Sequence, residues 1–103
     1  MMNDPMLAIK QIEEILEEAL TWERPGQLAA YSSIMLLLRE LREHVGALDS
    51  IDTGYAIEKI VGAEWHVGAM FGLDVDNKLP LTAHRVDALG DLGVLRDVLS
   101  QVE

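Results

Sequence analysis

The stretch QLAAYSSIMLLLRELREHVGAL, residues 27–48, decides the fold class of this chain. Apolar side chains recur in it every three or four residues, a spacing that places them on one face of an α-helix. These residues are Tyr31, Ile34, Leu38, Leu41, Val45 and Leu48. Because Met35, Leu36 and Leu37 are apolar as well, the centre of this helix is predicted to be buried nearly all round. We therefore expect it to be the core helix.

One more helix is predicted before this stretch and two more are predicted after it. Asp4 can cap the first and Pro5 suits its first position, and Pro25-Gly26 forms the turn after it. The last helix contains Gly90 and Gly93, which leave open the alternative that it is broken there into two pieces. The predicted fold class is thus all-α, a single domain over residues 1–103. Its four helices span residues 4–23, 27–48, 53–73 and 82–102.

The third predicted helix is rich in small residues, although each glycine costs about 1 kcal/mol of helix stability relative to alanine. Close approach of another backbone would offset that cost, as small-residue contacts do between membrane helices. Alternatively, the helix ends early and Gly68 or Gly72 is its terminal cap. The first interpretation predicts a self-association face. Its residues are Gly62, Trp65, Gly68, Ala69 and Gly72.

The composition limits the classes of binding partner and the cellular compartment that we expect. With 18 acidic and 8 basic residues, the net charge of −10 disfavours direct binding to nucleic acid or anionic membrane and favours a basic protein surface. The chain has no cysteine, which excludes disulfides and fits a reducing cytoplasm. No secretory signal is visible at the N-terminus, and no apolar run is long enough to cross a bilayer.

The negative charge is concentrated in two regions. Residues 1–23 carry six acidic and one basic residue, and residues 49–80 carry six acidic and two basic residues. Glutamates four apart on the first helix form a stripe of like charge, which is either a solvated face or a docking surface for a basic partner. The docking interpretation predicts a set of partner-binding residues. They are Glu13, Glu14, Glu17, Glu18, Asp49, Asp52, Asp74 and Asp76.

Catalytic, cofactor and metal motifs are not found. None of the three histidines has a carboxylate three residues before it, as di-metal helical bundles require. Asp74-Val75-Asp76-Asn77 begins like a calcium loop, but its sixth position is Leu79 rather than glycine. His84 and Asp87 share a helical face but make no metal site by themselves. There is no nucleophile elbow and no glycine-rich phosphate loop. We therefore predict no enzyme, no cofactor and no metal.

Three functions remain open. The first is a small acidic module that inhibits or regulates a larger, basic, nucleic-acid-binding protein. In size and charge the chain is similar to the inhibitors that phages and mobile elements direct against host defence complexes, the anti-CRISPR type included. The second is a structural helical homodimer or assembly protein. The third is an enzyme that uses His66 with Glu64, or His84 with Asp87.

Overall fold

The structure, a computed structural model, describes residues 4–48, 52–72 and 80–101. Four α-helices follow one another in these ranges, and the all-α fold predicted from the sequence is confirmed. A short 3-10 turn, Ala19–Thr21, separates the first two. The helices are α1 (Pro5–Glu18), α2 (Arg24–Gly46), α3 (Thr53–Met70) and α4 (Leu81–Ser100).

Acidic side chains cap two of the helices. The Asp4 carboxylate accepts hydrogen bonds from the backbone N–H groups of Met6 and Leu7, each at 3.1 Å. The Asp52 carboxylate accepts one from the N–H of Tyr55 at 3.0 Å. These three bonds satisfy amides that have no partner inside the helix. By contrast, α2 begins at Arg24, earlier than predicted, because Pro25 fits the first turn of a helix and does not end one.

One hydrophobic cluster draws on all four helices. Its largest fully buried side chains are Ile9, Ile12, Leu16, Ile34, Leu38, Leu41, Ile60, Met70, Phe71, Leu92, Leu95 and Leu99. The expectation that α2 is buried nearly all round is wrong, since Leu36 is 48% exposed and Met35 and Leu37 are only partly buried. α2 packs one face on the core, and the apolar side chains at its centre that lie off this face are partly or largely exposed at the protein surface.

Each helix packs against the next along the chain, and α4 also packs against α1, which closes the bundle. The most extensive packing joins α3 and α4. Small residues allow this approach: Ala56 and Ala63 on α3 and Ala88 on α4 are fully buried. Gly62 belongs to the same contact, because a Cβ atom there would lie 2.7 Å from Oδ2 of Asp91. The close approach inferred from the glycines is therefore found within one chain.

Gly72 ends a helix, whereas Gly90 and Gly93 lie inside one. Gly72 has φ of +75°, which stops α3 after Met70, so the alternative in which Gly72 is the terminal cap is confirmed. Leu73, the predicted last residue, lies outside the described residues. α4 runs without interruption through Gly90 and Gly93, as the single predicted helix does, so the alternative of a break there is wrong. Burial of Leu92 and other apolar side chains on this helix offsets the glycine cost.

Candidate functional site

Three glutamates form one exposed acidic surface on α1. Glu14, Glu17 and Glu18 are all exposed, and we call them the acidic α1 face. Among the residues that the structure describes, none places a cation within 4.0 Å of these carboxylates. Lys10, one turn before Glu14, does not form such a pair either. The face therefore presents uncompensated charge to solvent.

Glu13 is separated from this face. Its carboxylate is partly buried and forms an ion pair with the guanidinium of Arg96 on α4. Neighbouring residues on a helix point about 100° apart, so Glu13 turns toward α4 while Glu14 points outward. Of the four predicted glutamates, three share a surface, and the fourth, Glu13, forms an ion pair that links α1 to α4.

A shallow groove borders the acidic α1 face. It has a volume of about 350 Å³ and is lined by Gln11, Glu14, Ile15, Glu18 and Leu37. Ile15 and Leu37 are partly buried apolar side chains that pack against the core, one from α1 and one from α2. The groove thus combines an apolar lining with two carboxylates of the acidic α1 face.

Of the remaining predicted acidic residues, the structure describes Asp52 alone. Asp52 is exposed and caps α3, a helix that does not pack against α1 in the described part of the chain. Asp49, Asp74 and Asp76 lie outside the described residues. The structure therefore places the acidic α1 face and Asp52 on separate helices.

Three of the small residues predicted to form the self-association face have roles inside the chain. Gly62 accommodates Asp91 of α4, and Ala69 is fully buried in the core. Gly72 ends the helix, and a Cβ at Gly68 would meet no atom within 4 Å. Trp65 is half exposed. The costs of Gly62 and Gly72 therefore do not require a second chain, whereas no contact within the described residues explains Gly68. Self-association through Trp65 and its neighbours stays a prediction.

A histidine pair lies where α3 meets α4. Nδ1 of His66 on α3 is 3.0 Å from Nδ1 of His84 on α4. Oδ2 of Asp87, one turn after His84, is 3.9 Å from Nδ1 of His66. The sequence pairs His66 with Glu64 and His84 with Asp87 but does not predict that His66 meets His84, because spacing along one helix says nothing about the facing helix. The available signal was Gly62, which lies one turn before His66 and marks the face of α3 that α4 approaches.

The surroundings of this pair are partly closed. His84 is fully buried, the His66 side chain is 19% exposed and the Asp87 side chain is 50% exposed. The indole of Trp65 meets both imidazoles edge to face, with ring centroids 4.9 Å from His66 and 5.2 Å from His84. The cluster of His66, His84 and Asp87 is thus packed on the protein side and open to solvent at Asp87.

Asp91 lies one turn beyond Asp87 on the same helix. Burial raises the pKa of its carboxyl, and the charges of His66 and Lys59 only partly oppose this. Its Oδ1 is 4.0 Å from Nζ of Lys59. Glu64, by contrast, accepts a hydrogen bond of 2.7 Å from Arg42. Glu64 is therefore engaged with α2, while His66 faces His84.

A second groove of about 610 Å³ lies on the α2 side of the molecule. It is lined by Tyr31, Ser32, Met35, Leu36, Arg39, Arg42 and Glu64. The exposed Leu36 contributes to this groove, and Arg42 pairs there with Glu64. Arg39 and Arg42 give this groove positively charged side chains, whereas the acidic α1 face carries carboxylates.

Within the described ranges, no helix has a stretch long and apolar enough to cross a membrane. Comparison of the chain with protein-family models, with curated proteins and with solved structures gave no match in any of the three. The choice among functions therefore rests on the charges and contacts of the chain itself.

Proposed function

We propose that this protein is a binding module that regulates or inhibits a basic protein partner through the acidic α1 face. One observation carries the proposal. Glu14, Glu17 and Glu18 stand together without a cation within 4.0 Å in the described part of the chain, beside a groove lined by Ile15 and Leu37. Such a surface offers both electrostatic attraction and an apolar contact.

Three of the chain's own cations lie near carboxylates outside this face. Arg42 pairs with Glu64, Arg96 pairs with Glu13, and Lys59 lies near Asp91. No cation in the described ranges pairs with the acidic α1 face, and Glu14 repels Glu18 four residues away by a few tenths of a kcal/mol. Lysine or arginine side chains from another protein would relieve this repulsion on binding.

The partner is inferred from this complementarity. A basic surface with a protruding apolar residue would fit the groove, and proteins that hold nucleic acid carry such basic surfaces. By occupying that surface, the acidic α1 face would compete with nucleic acid. Inhibitors of the phage and mobile-element anti-defence type act in this way, and the chain shares their size and charge. The cysteine-free sequence favours action in the cytoplasm.

The test compares two variants of equal net charge. In one, Glu14, Glu17 and Glu18 are all replaced by Gln. In the matched control, one exposed acid on each of the other three helices is neutralised: Glu43→Gln, Glu58→Gln and Asp97→Asn. Wild type and both variants are used to capture proteins from the source cell, and mass spectrometry identifies each captured protein.

We expect a basic protein that binds to wild type and to the control variant but not to the α1 variant. Wild type should also displace nucleic acid from that protein, and rising salt should slow its association. Equal loss of binding by both variants would show that only total charge matters. That outcome, or unchanged binding by the α1 variant, would overturn the proposal.

A further inference from the structure

We propose that His66, His84 and Asp87 form a binding site for a divalent transition-metal ion of the Zn²⁺ class. Their donor atoms come from two helices and all lie within 4.8 Å of one another. The site lies between α3 and α4, and the proposal is independent of the acidic α1 face on α1.

The distances between the donor atoms fit a shared ion. Zinc binds imidazole nitrogen at about 2.0–2.1 Å, so two nitrogens on one tetrahedral ion lie roughly 3.3–3.4 Å apart. The Nδ1 atoms of His66 and His84 are 3.0 Å apart, which a small rotation of one ring brings into this range. The carboxylate oxygen of Asp87 is 3.9 Å from Nδ1 of His66, and the three donor atoms lie within 4.8 Å of one another, so Asp87 must approach the rings by roughly 0.5–1.4 Å. Asp87 is half exposed, so its side chain has room to move.

Packing holds the two imidazoles in position before an ion arrives. His84 is fully buried in the closest helix pair of the bundle, and Trp65 contacts both rings. A preorganised site avoids part of the entropy cost of ordering its ligands. Gly62 contributes indirectly, since its missing side chain lets α4 approach α3 one turn away from His66.

The ligand types select the class of metal. Two imidazole nitrogens with one carboxylate suit zinc and the neighbouring first-row transition metals, whereas Ca²⁺ and Mg²⁺ prefer sites built from oxygen. Three protein ligands leave a coordination position for water, and the exposed side at Asp87 gives access to it. The site therefore has the open form found in reactive zinc centres rather than the closed four-ligand form.

The two nitrogens could instead share one hydrogen bond, with a proton on one Nδ1 and a lone pair on the other. This alternative predicts no tight metal binding, because the pair would already be satisfied. Titration with a metal ion therefore separates the two explanations.

The experiment is calorimetric titration of the full chain with ZnCl₂, after treatment with EDTA and without a histidine tag. One Zn²⁺ per chain is expected. His66→Ala and Asp87→Asn should each weaken binding more than about tenfold, since even ligand-orienting groups outside the metal shell contribute 10–100-fold. The matched controls are His44→Ala, on α2, and Asp97→Asn, an exposed carboxylate of α4. Both should bind Zn²⁺ like wild type.

A second readout covers the case in which a variant folds poorly. In Trp22→Phe, Trp65 is the one remaining tryptophan, and its fluorescence should change on addition of ZnCl₂ but not of MgCl₂. The Gln variant of the acidic α1 face should retain the Zn²⁺ response, which separates this site from the proposed docking surface. Zn²⁺ binding to folded His66→Ala as tight as to wild type would overturn the proposal. So would the absence of any Zn²⁺ response in wild type.

Discussion

Gly62 on α3 lies directly against the carboxylate of Asp91 on α4, so that a Cβ atom at position 62 would come within 2.7 Å of Oδ2. The same carboxylate has Lys59 as a neighbour at 4.0 Å, one turn earlier on α3. The glycine therefore provides room for a partly buried charge at the closest contact between two helices. This relationship makes the contribution of Gly62 to stability depend on Asp91.

The first prediction concerns this coupling. Gly62→Ala should stabilise an Asp91→Ala background by about 1 kcal/mol, the usual gain in helix propensity. In the wild-type background the gain should be smaller or reversed, because Asp91 must rotate away from the new methyl group. The measurement is a double-mutant cycle from urea unfolding. Equal effects of Gly62→Ala in both backgrounds would contradict the proposed contact.

The second prediction contrasts two glycines of the same segment. Gly68→Ala should raise the free energy of unfolding by about 1 kcal/mol, because its Cβ would meet no atom within 4 Å. Gly72→Ala should lower it by roughly 1–2 kcal/mol, because residue 72 has φ of +75°. Urea unfolding measures both. A stabilising Gly72→Ala would show that α3 does not end in this conformation.

The third prediction is a pH dependence. Burial raises the pKa of Asp91 above its ordinary value of 3.8, so the folded protein holds this proton more tightly than the unfolded chain. The contribution of Asp91 to stability is fully present below that ordinary value and is lost as the pH rises through the folded-state pKa. The Asp91→Asn variant has no carboxyl group to ionise, so its stability does not fall in this way. Its free energy of unfolding relative to wild type should therefore increase between about pH 4 and pH 7.

Unfolding in urea at a series of pH values, with EDTA present, measures this difference. Asp97→Asn controls for the removal of one negative charge from α4. A difference between Asp91→Asn and wild type that falls with rising pH would mean that attraction by Lys59 and His66 outweighs burial at Asp91.

The fourth prediction separates the glutamates of α1 by their stability effects. Glu14→Gln should stabilise the protein by about 0.2–0.5 kcal/mol at low salt, because it removes repulsion with Glu18. Glu13→Gln should instead destabilise it by a few tenths to about 1 kcal/mol, because Arg96 loses its ion-pair partner. Thermal unfolding at low and high salt measures both, and salt should reduce each effect. Effects of the same sign would contradict the different surroundings assigned to these side chains.

The fifth prediction follows from linkage between metal binding and folding. An ion that binds only the folded state stabilises it by about 2.7 kcal/mol at a free concentration one hundred times its Kd. For a chain of this length, that raises Tm by on the order of 10 °C. ZnCl₂ should produce this increase in wild type and His44→Ala but not in His66→Ala. Scanning calorimetry measures it, and an equal increase in all three proteins would indicate binding elsewhere.

The sequence by itself determined the four helices, because apolar spacing and capping residues are local properties of the chain. Asp4 caps α1 as its position predicts, and Gly72 ends α3 as one of the two alternatives expected. The sequence left open whether α4 is broken at Gly90 and Gly93, since the burial that offsets the cost of these glycines comes from other helices. The exposure of Leu36 was missed for the same reason, because it depends on which faces of α2 are covered.

Only the tertiary structure decided which distant residues meet. It divided the predicted glutamates, turning Glu13 toward Arg96 and leaving Glu14 in solvent. It also brought His66 to 3.0 Å from His84, eighteen residues away on another helix. Helical periodicity fixes the face on which a side chain lies but not the partner helix that covers that face. That choice depends on packing of the whole bundle, in which Gly62 allows α3 and α4 to approach closely.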